Sequence, residues 1–147
     1  MLPKIQETLE LVALLPERSD RIQFLIDLAD GFRDVPESVA VRPFSCDHRV
    51  PSCESEVFVW GVPRADGRLD FHFAVENPQG ISAKAMAALL RDAVSGAPLE
   101  ELAELTPDFV YDLFGRELSM GKSMGLMAMV SLIRTLAKRQ LAATVPN

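Results

Sequence analysis

The fold is decided by the stretch RVPSCESEVFVW, which runs from Arg49 to Trp60. Its first half is a polar bend that contains Pro51, and its second half is apolar, β-branched and aromatic, which favours a strand. Cys53 lies at the junction of the two halves, with polar residues on both sides. Buried structural cysteines usually have apolar neighbours, so we expect this sulfur to be presented rather than packed in a core. Cys53 is therefore the candidate working thiol of the chain.

A second strand is predicted shortly after the first. Residues 69–75 alternate large apolar side chains with Asp70, His72 and Ala74, as a half-buried strand does. The connection over residues 61–67 contains glycine, proline and an Asp-Gly pair, which supply the backbone conformations that a hairpin loop needs. The two strands are therefore predicted to form a hairpin.

Apolar residues recur at helical spacing on both sides of this hairpin. Before it, one helix is predicted from Pro3 to near Pro16, and a second is capped by Ser19 and stops at Gly31, after which residues 33–52 are irregular. After it, the predicted helices are one from Ser82 to a cap at Gly96, two short ones opened by Pro98 and by Thr106-Pro107-Asp108, and a long one over residues 122–141. Helices packed on one face of a small antiparallel sheet define an α+β fold, here one domain over residues 1–147.

Composition and charge narrow the class of partner. The 147 residues are 48% hydrophobic, enough for one core, and the formal net charge is −6. Lysine and arginine are scattered rather than clustered, which disfavours nucleic acid and anionic membranes as partners. The first residues carry charges, and no later run is apolar enough to span a bilayer, so we expect a soluble, cytoplasmic protein whose partner is a protein or a small molecule.

Three residues near the bend, Cys46, His48 and Cys53, form a possible metal-binding group. Structural zinc usually needs four ligands, and the other histidine, His72, has no spacing partner on its predicted strand, so we expect no metal. Two cysteines separated by six intervening residues in a reducing compartment favour free thiols over a disulfide. A Cys–His hydrolase is disfavoured because no orienting third group is evident and no helix is predicted to begin at the sulfur.

The acidic neighbours of Cys53 disfavour its thiolate. Glu54 and Glu56 raise the cost of a negative charge on the sulfur, so a reactive thiol needs a cation or backbone donors from elsewhere in the fold. Lys122 and Lys84 are the candidate cations, although any single lysine is by default a solvated helix residue.

Four segments, taken in order, resemble the SufE-like sulfur acceptor family. They are residues 21–29, similar to the family's early helix; residues 50–59, similar to its Gly-Cys-x-Ser-x-Val-Trp motif, with Ser55 at the serine position; residues 81–90, similar to its central helix; and residues 118–129, similar to its Leu-x-x-x-Arg-x-x-Gly-Leu-x-x-Met entry to the last helix.

The resemblance implies a SufE-like (IscU-like) fold and a role in iron–sulfur cluster assembly. By this resemblance, Cys53 takes persulfide sulfur from a pyridoxal-phosphate-dependent, SufS-like cysteine desulfurase and passes it to a downstream iron–sulfur scaffold. The supporting residues are Lys122, Lys84 and Ser55. The chain is then an accessory carrier and activator with no cofactor or metal of its own and no turnover alone. We also expect residues 50–55 to shelter the sulfur at rest, against Phe58 and the start of the final helix.

The chain departs from the family pattern at several positions. Ser52 replaces the usual glycine, Glu54 the usual glutamine, Asn77-Pro78-Gln79 an Asp-Ser-Asp run, and Lys122 an arginine, which keeps the charge but loses the planar fork. Three alternatives stay open: a thiol or metal module using Cys46, His48 and Cys53, a divergent carrier for a tRNA-thiolation or molybdenum-cofactor route, and a scaffold that docks without carrying sulfur. Cys46 itself is expected to be a small residue of the irregular segment or a resolving thiol.

Overall fold

A computed structural model describes residues 2–51, 56–77, 80–115 and 120–144. In chain order the elements are α1 (Pro3–Ala13), α2 (Arg18–Asp30), a single 3-10 turn (Cys46–His48), β1 (Val57–Pro63), β2 (Leu69–Val75), α3 (Ile81–Val94), α4 (Leu99–Ala103), α5 (Phe109–Phe114) and α6 (Met120–Thr144). Among the described residues, no helix is long and apolar enough to cross a membrane.

The two strands form the predicted antiparallel hairpin. Their register pairs Val57 with Val75 at one end and Pro63 with Leu69 at the other. We call the end with Val57 and Val75 the loop end of the sheet, and the end with Pro63 and Leu69 the hairpin end. The turn at the hairpin end depends on Gly67, whose φ of 87° is a conformation that other residues rarely adopt.

Both faces of this small sheet are buried. One face presents Val57, Val59, Phe71 and Phe73 to the helices, in the main core. The other face presents the second cluster: Phe58, Trp60 and Ala74 from the sheet, with Val35, Val39, Ala40 and Phe44 from the segment before it. Each fully buried side chain of this size contributes roughly 1.5–3 kcal/mol of transfer free energy. The irregular segment therefore covers the sheet face that the helices leave open.

The predicted helices are confirmed, with differences at their ends. α1 starts at Pro3 and α3 is followed by Gly96 with a φ of 71°, as expected from the sequence. Ser19 is not the N-cap of α2: the helix starts at Arg18, and the capping position is Glu17 in an extended conformation, without a side-chain cap.

α2 lies against the main core through partly buried residues. Phe24, Leu25 and Leu28 pack against the main core, whereas Ile22 keeps 47% of its surface exposed. No residue of α2 is fully buried, so this helix lies over the core without entering it.

Candidate functional site

The connection that carries Cys53 is closed at its base by the backbone. The N–H of Val50 donates to the carbonyl of Val57 (2.8 Å), and the backbone of Arg49 pairs with that of Phe58 in an isolated antiparallel β-bridge. Val50 is almost fully buried, which fixes the upstream flank. We call residues 51–56 the cysteine connection. Residues 52–55, including Cys53 and Ser55, lie outside the described residues.

The downstream flank is held by the end of β2. The backbone N–H of Glu76 donates to the carbonyl of Glu56 (2.8 Å), which extends the pairing of the hairpin by one residue. The chain then turns at Asn77, whose carbonyl accepts from the N–H of Gly80 (3.0 Å), and enters α3. Of the Asn77-Pro78-Gln79 departure, only Asn77 is among the described residues. The cysteine connection and the entry to α3 therefore share the loop end of the sheet.

α3 begins at the loop end because its C-terminus is fixed at the hairpin end. The N–H of Gly96 donates to the carbonyl of Leu69 (2.8 Å), and the hydroxyl of Ser95 accepts from the N–H of Phe71 (3.0 Å). The helix thus runs antiparallel to β2, against which it packs. Its first turn, with the half-buried Lys84, lies beside the end of β2.

α6 also begins at the loop end. Leu136 lies against Gly61, and the side-chain amide of Gln140 donates to the carbonyl of Gly67 (3.0 Å), so the C-terminal half lies at the hairpin end. Lys122 is fourteen residues before Leu136, about 21 Å along a helix, whereas Val57 is four residues before Gly61, about 13 Å along a strand. The exposed Lys122 therefore lies on the part of α6 that runs from the hairpin end toward the loop end.

These directions bring two helix N-termini and two lysines to the end that holds the cysteine connection. The N-terminus of a helix carries a partial positive charge, and cations favour a thiolate. The sequence indicated no helix beginning at the sulfur and two acidic neighbours. The directions of α3 and α6 are a feature of the fold that the sequence did not indicate.

Phe58 and the buried residues of α6 lie on opposite faces of the sheet. Its ring packs against Phe44 (centroids 5.2 Å apart) and Trp60 (6.1 Å), within the second cluster. The buried residues of α6, beginning at Leu126, belong to the main core on the opposite face of the sheet. Residues 52–55, on which the expected shelter depends, lie outside the described residues, so the shelter stays a prediction.

Cys46 and His48 lie on the 3-10 turn that leads into the connection. Cys46 is exposed, and the half-buried His48 ring stacks on Trp60 (centroids 5.3 Å apart) with its Nδ1 3.3 Å from the carbonyl oxygen of Val59. His72 is half-buried and pairs with Trp60 in the strand register. No group of three potential metal ligands occurs among the described residues, a set that does not include Cys53.

A cluster that the sequence analysis missed lies beside these elements. Arg42 makes ion pairs with both Asp34 (2.8 Å) and Glu76 (2.8 Å). These partners are 8 and 34 residues away, so neither helical nor strand spacing could have indicated them. The hydrogen bonds that Arg42 donates, chiefly to Asp34 and then to Glu76, raise the pKa of Arg42 above its already high ordinary value.

An open groove of about 970 Å³ lies elsewhere, between α1, α2 and α5. Its lining combines apolar residues such as Leu9 and Ile22 with the charged residues Arg18, Arg21 and Asp112. None of the site residues expected from the sequence lines it.

The fold and this end of the molecule define a small α+β protein with a cysteine-bearing connection clamped at both flanks. The family model described as "SufE: Fe-S metabolism associated domain" matches residues 6–137. The chain therefore belongs to the SufE family, which places it in iron–sulfur metabolism.

Two individual proteins illustrate the relationship. The chain is 25% identical over 133 residues to "SufE-like protein 1, chloroplastic/mitochondrial" of Arabidopsis thaliana. The matched region covers 90% of this chain and 34% of that protein. The chain thus spans about a third of that relative's length. A solution structure of a hypothetical protein from Thermus thermophilus superposes with a TM-score of 0.74 at 25% identity and covers 97% of this chain and 98% of the other. The SufE-like fold expected from the sequence is confirmed.

Proposed function

We propose that this protein, as one domain over residues 1–147, accepts sulfur from a cysteine desulfurase on Cys53 and activates that enzyme. The observation that supports the proposal most directly is the clamped cysteine connection at the loop end, where α3 and α6 also begin. The desulfurase, a pyridoxal-phosphate enzyme, holds the sulfur as a persulfide on its own cysteine. A cytoplasmic location and an iron–sulfur scaffold as the next acceptor belong to the same proposal.

The transfer is a thiol–disulfide-type exchange. The thiolate of Cys53 attacks the outer sulfur of the donor persulfide, a new sulfur–sulfur bond forms to Cys53, and the bond to the donor cysteine breaks. The donor cysteine leaves as a thiolate, so one persulfide replaces another with no net oxidation. Removal of the sulfur frees the desulfurase for its next cycle, which is how an acceptor raises its turnover.

The positive potential at the loop end suits this step. A thiolate is the attacking species, and Lys84, Lys122 and the two helix N-termini favour it over the neutral thiol. Because Lys122 lacks the planar fork of arginine, its role in the proposal is that of a point charge rather than a bidentate donor. Ser55, at the serine position of the motif, is proposed to support the loop.

Intact mass after incubation with a cysteine desulfurase and cysteine tests the proposal. The wild-type protein and the Cys46→Ser variant should gain the mass of one sulfur atom, which a reducing agent removes, whereas Cys53→Ser should gain none. Loss of the gain in Cys46→Ser as well would support the module that uses both cysteines. Full stimulation of the desulfurase by Cys53→Ser would instead indicate a docking scaffold that carries no sulfur.

A further inference from the structure

Arg42 uses its whole guanidinium group to join two segments that are distant in sequence. Its Nε donates to both carboxylate oxygens of Glu76 (2.9 and 3.1 Å), while Nη1 and Nη2 donate to the two oxygens of Asp34 (2.8 and 3.0 Å). Paired contacts of this kind fix the relative orientation of the groups as well as their distance. Arg42 therefore links the irregular segment to the residue that follows β2.

The Glu76 side of this link leads directly to the cysteine connection. The carboxylate of Glu76 accepts from Arg42. The backbone N–H of Glu76 donates to the carbonyl of Glu56, the last residue of the connection. A shift of Glu76 therefore moves the downstream flank of Cys53.

The other side of Arg42 leads to the upstream flank. Its Cζ lies 4.7 Å from the centre of the Phe44 ring, and that ring packs edge-on against Trp60 (4.9 Å). Trp60 in turn stacks on His48, two residues before the buried Val50. The backbone of Asp34, the second carboxylate partner, pairs with that of Phe73 in an isolated parallel β-bridge, which holds Asp34 at the sheet. Arg42 is thus connected, through short chains of contacts, to both flanks of the cysteine connection.

We propose that Arg42 is a positioning residue for the Cys53 thiol, because it fixes the two flanks of the cysteine connection relative to each other. The inference rests on the sulfur-acceptor function proposed above. Asp34 and Glu76 are part of the same device. Arg42 touches neither the sulfur donor nor the reacting sulfur in this proposal; it limits how often the base of the connection opens and hence how the thiol is presented.

The chain offers a matched control in Arg64. Its Nε donates to Asp70 (2.6 Å) at the hairpin end, and its side chain is 43% exposed, compared with 49% for Arg42. Arg42→Lys and Arg64→Lys both keep the charge and lose the planar fork, but Arg64 pairs with one carboxylate at the hairpin end, whereas Arg42 joins two at the loop end. Glu76→Gln breaks the link from the other partner and serves as a second variant.

Hydrogen exchange of single backbone amides gives a readout that does not depend on sulfur transfer. The N–H groups of Val50 and Glu76 close the two flanks. In Arg42→Lys and Glu76→Gln, well below the unfolding temperature, these amides should exchange roughly threefold to tenfold faster than in the wild type. The amide of Phe71, near the hairpin end, should be unchanged in both. Arg64→Lys should leave Val50 and Glu76 at the wild-type rate.

The functional readout is sulfur loading in a Cys46→Ser background, followed by intact mass, with desulfurase concentration varied. Arg42→Lys should load more slowly at saturating desulfurase, whereas Arg64→Lys should load at the control rate. If the Cys46→Ser background protein loads no sulfur, the proposed function fails. The exchange rates of the Val50 and Glu76 amides then still show whether Arg42 holds the two flanks. If that protein loads sulfur but Arg42→Lys shows unchanged exchange and loading, or if Arg64→Lys is slowed equally, the positioning role is overturned.

Discussion

The backbone N–H of Glu76 lies 2.8 Å from the carbonyl oxygen of Glu56, which joins the residue after β2 to the residue that ends the cysteine connection. This bond continues the hairpin pairing past Val57 and Val75. The consequence is that the connection is not an independent loop: its downstream flank is part of the sheet, and its upstream flank is bonded to the same strand through Val50. Stability of the sheet and presentation of the thiol are therefore coupled.

The first prediction concerns the core that holds α6 in place. Met129 is fully buried, so Met129→Ala should lower the free energy of unfolding by about 2–5 kcal/mol through lost contacts and a cavity. Met124, on the same helix, is 49% exposed, and Met124→Ala should change the free energy of unfolding by less than about 0.5 kcal/mol. Urea denaturation followed by circular dichroism measures both. Equal losses in the two variants would contradict the described packing of α6.

The second prediction concerns the end of α3. Gly96 has a φ of 71°, and an added Cβ would meet the Arg64 guanidinium (2.7 Å from Cζ), so Gly96→Ala should destabilise the protein by about 1–2 kcal/mol. Gly31, which follows α2 with a φ of −81°, has ordinary backbone geometry, so Gly31→Ala should have a much smaller effect. Thermal unfolding compares the two. A Gly96→Ala variant as stable as the wild type would show that the backbone there relaxes without cost.

The helices and the hairpin were predictable because each depends on local spacing. The alternation of residues 69–75 and the glycines at 67 and 96 are signals of this kind, and the elements they predicted are present. Ser19 failed as a cap because the chain is already helical at Arg18, so the path between α1 and α2 overrides a favourable capping residue.

The second cluster had a signal that was available in the sequence. Residues 57–60 are apolar without interruption, which is typical of a strand buried on both faces, and the irregular segment is what buries the second face. Lys84 and Lys122 were candidates through the family resemblance, but no local spacing indicated their positions in the fold, which depend on the directions of α3 and α6. The partners of Arg42 likewise depend on the tertiary fold.

The third prediction separates a sulfur carrier from a metal module. If the chain works without a bound metal, treatment with a chelator and then with zinc should leave the unfolding temperature of the wild type and of Cys46→Ser unchanged. A site built from Cys46, His48 and Cys53 would bind zinc only in the folded state and raise that temperature in the wild type but not in Cys46→Ser. Differential scanning fluorimetry distinguishes the two results.

The fourth prediction concerns the charge at the loop end. In a Cys46→Ser background, replacing both Lys84 and Lys122 with methionine removes two cations near the connection, which should shift the alkylation of Cys53 to higher pH. The attraction of two solvated cations for a thiolate is on the order of 1 kcal/mol after solvent screening, so alkylation by iodoacetamide at pH 7 should slow roughly threefold to tenfold.

The control for this charge effect is Lys138→Met in the same background. Lys138 is exposed on α6 but belongs to the C-terminal part that lies at the hairpin end, about 24 Å along the helix from Lys122. Its removal should leave the alkylation profile unchanged. High salt should reduce the difference between the double variant and its background, because screening weakens interactions between exposed charges. An unchanged profile in the double variant at low salt would contradict the proposed role of the two lysines.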